Sequence, residues 1–253
     1  MNVTVLTNSG SIYGKKVIRA LRRADVPASV VVVRQPPAYT LRLFRSVARR
    51  VGLFDALLLA VKRLLDGRRE RDRIGSNDPE LMAGYEDICR RVVYTIGTNR
   101  GETKRAIKDF GTDLLVLGQA GIARRAILQI PKIGTLNAHP GILPFYRGID
   151  CPQWALFNGD LDKIGASVHW VDEGIDTGGI ISTRGFPVRG MPDMSVIESR
   201  LYDLCAEMIA EVVAAIGEGR TPEGTPQTPE GGKQYYKMSF RTERTLKPIL
   251  QSL

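Results

Sequence analysis

Val3-Thr4-Val5-Leu6, then Thr7-Asn8-Ser9-Gly10-Ser11, then helical spacing through about Lys15–Arg23, then Ser29-Val30-Val31-Val32-Val33: this opening decides the fold. It reads as strand, small-residue loop, helix, strand, which begins a doubly wound α/β sheet. The unbroken valines suit a parallel strand buried on both faces, where polar–apolar alternation disappears. The rhythm returns downstream, with strands at Val92–Thr95, Asp113–Leu117, Thr135–Asn137, Ala166–Val171 and Ile180–Thr183. Between them, Asn99 and Glu102 stand at capping-box spacing ahead of a helix to about Phe110. A helix near Gln153–Phe157 follows, and Ser195 and Glu198 cap a long helix to about Ile216. The expected fold class is α/β, a Rossmann-like, doubly wound, mostly parallel sheet with a helical insertion and a short C-terminal tail. The expected organisation is one domain over 1–216, with the insertion at about 39–85, and an extension over 217–253. That extension carries Gly, Pro and Thr up to Gly232, then a strand at Tyr235–Phe240 and a short helix.

The insertion has its own pattern. Leu41, Phe44, Val47 and Ala48 recur at helical spacing, as do Leu57, Leu58, Val61, Leu64 and Leu65 beyond a break at Gly52. Between Leu41 and Gly75 ten Lys or Arg face four Asp or Glu, a large part of the chain's net charge of +9. Tyr39–Arg73 therefore reads as two amphipathic helices with a basic face. Since large exposed apolar patches are uncommon, the stripe is expected to pack on the core or on a second subunit, with the arginines in water. A homodimer is one arrangement that would cover it. Contact with a membrane or with nucleic acid is not expected.

Composition narrows the function. A hydrophobic share of 43% supports a real core, and no apolar run reaches the roughly 18–20 residues of a membrane span. Met1–Thr7 reads as a strand and not a signal peptide, so the expected location is cytoplasmic. Cys89, Cys151 and Cys205 form no C-x-x-C pair, and two histidines cannot make a three-histidine site, so no metal is expected. Cys151 reads as a small structural thiol.

Chemistry concentrates in Thr135-Leu136-Asn137-Ala138-His139-Pro140-Gly141-Ile142-Leu143-Pro144-Phe145-Tyr146-Arg147-Gly148. Asn137 and His139, two apart at a strand end, project to the same side of the sheet. In open α/β sheets ligands bind at the carboxyl ends of strands. A second cluster, Val171-Asp172-Glu173-Gly174-Ile175-Asp176-Thr177-Gly178-Gly179, is an acidic loop able to return a carboxylate to the histidine. An amide and an imidazole can stabilise an oxyanion, and a carboxylate can orient the imidazole for proton transfer. His169 lies outside this pattern and reads as a packed strand residue.

Leu-Asn-Ala-His-Pro-Gly-Ile-Leu-Pro-Phe-Tyr-Arg-Gly followed by Asp-Glu-Gly-Ile-Asp-Thr-Gly-Gly-Ile-Ile resembles the signature of the folate-dependent formyltransferases. The resemblance is most specific over Leu136–Ile181. It implies that Asn137, His139 and Asp176 are the catalytic set and that 10-formyltetrahydrofolate is the co-substrate. It also implies a folate pocket at Gln119, Ala120, Gly121, Ile122, Ala123 and Arg124, closed by backbone at Val171, Asp172, Glu173 and Gly174. Gly141 departs from the serine that often follows His-Pro, which puts a substrate or loop contact in doubt more than the chemistry. Within the family, the stretch 217–253 is too short for the β-domain of the tRNA enzymes, and Asn8–Gly14 only partly resembles the purine enzyme's phosphate loop. The expected acceptor is a small primary amine, first an amino sugar carried on a nucleotide. The alternatives are glycinamide ribonucleotide or another small amine and, from another class, a non-catalytic nucleotide- or folate-binding regulatory module.

Overall fold

The computed structural model describes residues 1–62, 64–65, 78–191, 193–228 and 231–253. Its strands are β1 Val3–Asn8, β2 Ala28–Arg34, β3 Val92–Ile96, β4 Leu114–Gly118, β5 Gly134–His139, β6 Tyr146–Gly148, β7 Gly165–Trp170, β8 Ile180–Gly185 and β9 Lys233–Tyr235. Seven form one sheet in the order β3-β2-β1-β4-β5-β7-β8. The run β3-β2-β1-β4-β5 is parallel, and β7 and β8 continue it antiparallel. The mostly parallel doubly wound sheet is thus as expected.

The valines of β2 explain the layering. Val30 and Val32 enter the apolar cluster on one face, Val31 and Val33 the cluster on the other, and all four are fully buried. Helices α1 (Ile12–Arg23) and α8 (Met194–Gly217) cover the first face. Helices α5 (Gly101–Asp109) and α6 (Arg125–Leu128) cover the second. Chain order reverses between β1 and β4, and the crevice outside such a reversal is where open sheets bind ligands.

Two caps differ from the reading above. Asp193 caps α8, accepting from Val196 N at 3.0 Å, and the Ser195 hydroxyl only donates to Asp193. Asn99 does not cap α5. Its amide accepts from Arg124 N and donates to the Ile122 carbonyl, both at 2.8 Å, so a distant loop has claimed it and Arg100 holds the cap position. The tail strand lies ahead of the expected Tyr235–Phe240 and overlaps it only at Tyr235, because its short partner β6 fixes where it pairs. Residues Lys233–Tyr235 pair with Tyr146–Gly148, and Met238 N then turns to donate to Asp150. Helices α9 (Phe240–Arg244) and α10 (Leu246–Gln251) follow.

The insertion begins with α2 (Pro37–Val51), breaks at Gly52 in a left-handed conformation (φ +90°) and continues as α3, described over 53–62 and 64–65. The part of the insertion over 66–77 lies outside the described residues. Within the chain the stripe is only partly covered, with Phe44, Val47 and Ala48 half-buried. No residue of α2 is buried, and α3 buries Asp55, Ala56 and Leu59 while Leu53, Phe54, Leu57 and Val61 point outward. The hairpin is held at its charged side, by Lys62 to Glu243 (2.7 Å), Arg241 to Asp55 (3.8 Å) and Arg50 over the Tyr236 ring (3.7 Å). Among the described residues no helix is long and apolar enough to cross a membrane.

Candidate active site

Strand β5 delivers Asn137 and His139 to the crevice, and antiparallel β7 sets His169 directly opposite Asn137. His169 Nδ1 lies 2.7 Å from the Trp170 carbonyl, which can only accept, so Nδ1 carries a proton. In the neutral ring Nε2 is then an acceptor, 3.2 Å from the Asn137 amide nitrogen. One amide hydrogen of Asn137 is committed to His169 and the second is left for a ligand. His139 Nε2 lies 2.8 Å from the Tyr146 carbonyl and must donate to it, which turns Nδ1 toward Asp176 Oδ2 at 3.4 Å. Asp176 Oδ1 is 3.6 Å from His169 Nε2, so the carboxylate sits between the two imidazoles. With His139 neutral, lone pairs face each other across the 3.4 Å gap, so a proton taken up by the pair lodges between them.

The acidic loop is built to return that carboxylate. Asp176 adopts φ +52°, a region where aspartate is among the few tolerated side chains. Gln227, from the C-terminal extension, donates to the carbonyls of Asp176 (2.9 Å) and Gly178 (2.7 Å) and pins the turn. Asp172 accepts from Gly174 N and Thr177 Oγ1 and shapes its start. Burial alone would raise the Asp176 pKa. Attraction to the imidazoles of His139 and His169 and the Gly148 N–H at 2.9 Å outweigh it and hold the group at about 2. Burial pushes His139 down, against the pull of Asp176. At neutral pH the pair is an ionised carboxylate beside a neutral imidazole. Burial, with the charges of Asp176 and Asp150, pushes the Cys151 thiol up, which fits a structural thiol and not a nucleophile.

The two loops read as a folate pocket are neighbours. Gln119 (φ +66°) and Gly121 (φ +80°) bend the chain after β4, and Thr98 Oγ1 donates to the Ala120 carbonyl. Ala120 and Ala123 are buried, and Val171 packs against their cluster. Ile122 is exposed, and Asn99 ties the backbone of Ile122 and Arg124. Across the gap, exposed Glu173 reaches Arg125 at 3.5 Å. Small apolar side chains and bent backbone form a wall that a flat heterocycle can approach, which fits a pterin. Among the described residues no group of three or more His, Cys, Asp or Glu could hold a metal ion.

Three site features escaped the sequence reading. His169 is buried as read, but it faces Asn137 and Asp176, and only the register of β5 with β7 reveals this. Gln227 gave no signal. Gly141 matters to the histidine itself: a Cβ there would lie 2.8 Å from His139 Nε2, 2.9 Å from the Tyr146 carbonyl and 3.0 Å from Cys151 Cβ. Beside Tyr146 lies a cleft of about 380 Å³, lined among others by Phe145, Asp160, Lys163, Lys233 and Tyr235.

Residues 66–213 match the formyl transferase family. Methionyl-tRNA formyltransferase of Methylacidiphilum infernorum is 41% identical over 111 residues, which are 44% of this chain and 34% of that protein. The matched region thus spans about a third of that relative's length. Two solved structures share the fold. Glycinamide ribonucleotide transformylase 1 from Symbiobacterium toebii has a TM-score of 0.56 at 20% identity, covering 87% of this chain and 89% of its own. A sugar N-formyltransferase from Shewanella sp FDAARGOS_354 has a TM-score of 0.57 at 11% identity, covering 99% and 88%. With its family match extending over more than half its length, and over the strands that carry Asn137, His139 and His169, the chain belongs to the formyl transferase family.

Proposed function

We propose that this chain transfers a formyl group from 10-formyltetrahydrofolate to a primary amine. The observation that carries the reading is the meeting of half-buried Asn137, buried His139 and half-buried Asp176 in one polar cluster at the carboxyl end of the sheet. The folate, bound against residues 119–124 and 171–174, supplies a carbonyl carbon that an amine can attack. The free amide hydrogen of Asn137 donates to the oxygen on which charge develops. His139 and Asp176 take the proton that the amine loses into the gap between Nδ1 and Oδ2 and return it to the folate nitrogen as that nitrogen's bond to the formyl carbon breaks. His169 acts as a positioning residue, fixing the Asn137 amide and flanking the carboxylate.

The acceptor class we favour is a nucleotide-linked amino sugar. The cleft beside Tyr146 supports this choice, since it is lined by the residue whose carbonyl holds His139. Lys163 and Lys233 at its walls offer charge to a diphosphate, and Tyr235 offers a ring face. The test mixes the purified chain with 10-formyltetrahydrofolate and a panel of amines: nucleotide-linked 3- and 4-amino sugars, glycinamide ribonucleotide and simple amino acids. Formylated amino sugar, read by mass spectrometry, is the expected product. Turnover of glycinamide ribonucleotide alone would move the acceptor to the purine class. Folate binding with no turnover of any amine would leave a binding module and overturn the enzymatic reading.

A further inference from the structure

Helix α3 wears its apolar side outward. Leu53, Phe54, Leu57, Val61, Leu64 and Leu65 are each between 50% and 69% exposed. At 100° per residue they fall on one arc, while Asp55, Ala56 and Leu59 hold the opposite, buried arc. A helix that buries an aspartate and exposes its leucines has not failed to find the core. Its inner side is fixed by Arg241 and Lys62 contacts, so the outer side is left for something else.

The charge on the adjoining helix of the hairpin selects the partner. On α2, Arg42, Arg45 and Arg49 are exposed, and among the described residues no carboxylate pairs with them. The hairpin's single described acid, Asp55, is buried. A second copy meeting this hairpin face to face would bring arginines against arginines. An acidic bilayer surface offers both complements at once, acyl chains for the leucines and phosphate headgroups for the guanidinium groups.

We infer that the α2–α3 hairpin docks this protein on an anionic lipid surface, lying in the interface without crossing it. The hairpin also borders the site: the Tyr39 hydroxyl lies 3.4 Å from where a Cβ on Gly121 would stand, and Arg50 stacks on Tyr236, next to β9. The inference is independent of the acceptor proposed above, and binding is read without turnover.

The test is co-sedimentation of the intact protein with vesicles of phosphatidylcholine alone and of phosphatidylcholine mixed with phosphatidylglycerol. Binding to the mixed vesicles, weakened by added salt, is expected, with little binding to the neutral ones. Each basic residue near an acidic surface strengthens binding about fivefold. Replacing Arg42, Arg45 and Arg49 together by Gln should therefore weaken binding by about a hundredfold. Leu57→Asp with Val61→Asp should abolish binding while circular dichroism stays that of the parent, since both positions are exposed. Equal binding to both vesicle types would overturn the electrostatic half of the inference. No binding to either would overturn all of it, and a dimer that dissociates in the Leu57→Asp, Val61→Asp variant would assign the face to a second copy.

Discussion

The crevice after β5 and the outer face of α3 break the usual inside–outside rule in opposite directions. In the crevice two imidazoles are buried and a carboxylate is mostly so, with side-chain exposures of 4%, 2% and 16% for His139, His169 and Asp176. On α3 six large apolar side chains stand in water. Buried polar groups cost stability unless partnered, and exposed apolar patches invite association. The crevice meets its cost with mutual contacts that leave one amide hydrogen and one proton slot in reserve. The outer face of the helix meets no cover among the described residues. Both are places where a partner from outside completes the physics, one a small molecule and the other a surface.

The sharpest way to break the crevice half is to remove its charge. Asp176→Ala and Asn137→Ala should stay folded and lose about 10²–10³ in formyl transfer, the usual effect of deleting one preorganised donor or its support. Near-normal turnover in either variant, measured with the best acceptor of the panel, would detach that residue from the chemistry. Acid is a second probe. The folded Asp176 pKa, about 2, lies below the unfolded value of about 3.9. Its contribution to stability is therefore present above about pH 4 and lost as pH falls toward 2. The acid limb of a stability–pH curve should flatten in Asp176→Asn, and an unchanged limb would mean the carboxylate is not held by its neighbours.

A smaller effect is expected from Gly141→Ser, the residue that often stands in the family's motif. The added Cβ must displace His139 Nε2, the Tyr146 carbonyl or Cys151. Misplacement of a reacting group by about an ångström can cost up to about 10² in rate. The variant should slow transfer by about tenfold or more while binding a reduced-folate analogue as the parent does. An unaffected rate would show that the loop yields and that His139 keeps its place.

These outcomes bear on what could be read from the letters alone. Strand–helix rhythm and the valine run of β2 settle the parallel sheet, because burial on both faces leaves a pattern in the residues themselves. Asn137 and His139 are legible at period two on one strand, and the acidic loop promises a carboxylate, but the choice of Asp176 over Asp172 and Glu173 comes from the family resemblance. His169 and Gln227 are not, since their roles exist only once β7 pairs with β5 and the extension folds back. Asn99 had the right spacing for a cap and lost it to a loop more than twenty residues away. The insertion shows the limit most clearly: periodicity reports that a helix has an apolar stripe, and says nothing about which way the stripe faces.

Outside both regions, Glu198 supplies a control for buried charge without a catalytic role. Burial, partly offset by a hydrogen bond from Gln153, raises its pKa to about 7. The unfolded value is near 4.3, so the ionised form burdens the fold above that pH and the burden is complete beyond about 7. Gln153 Oε1 has no hydrogen-bond partner. A protonated carboxyl, or an amide in its place, could donate to it. Glu198→Gln should therefore stabilise the protein by about 1–3 kcal/mol at pH 8 and by almost nothing near pH 4. Urea denaturation at the two pH values reads the difference, and a loss at pH 8 would mean the charge is wanted where it is.

The smallest effect tests the other side of the comparison. Leu57 and Leu59 lie two residues apart on α3, at 50% and 8% exposure. If the outer face is open in the free protein, Leu57→Ala removes few contacts and should change stability by less than about 0.5 kcal/mol. Leu59→Ala empties a packed position and should cost about 2–4 kcal/mol. The contrast depends on the protein being measured without lipid. Were the outer face covered by a second copy, Leu57→Ala would cost nearly as much as Leu59→Ala, and the parent's melting temperature would rise with protein concentration. A flat concentration dependence with a near-silent Leu57→Ala leaves the six side chains uncovered in the free protein, the state that docking to a surface requires.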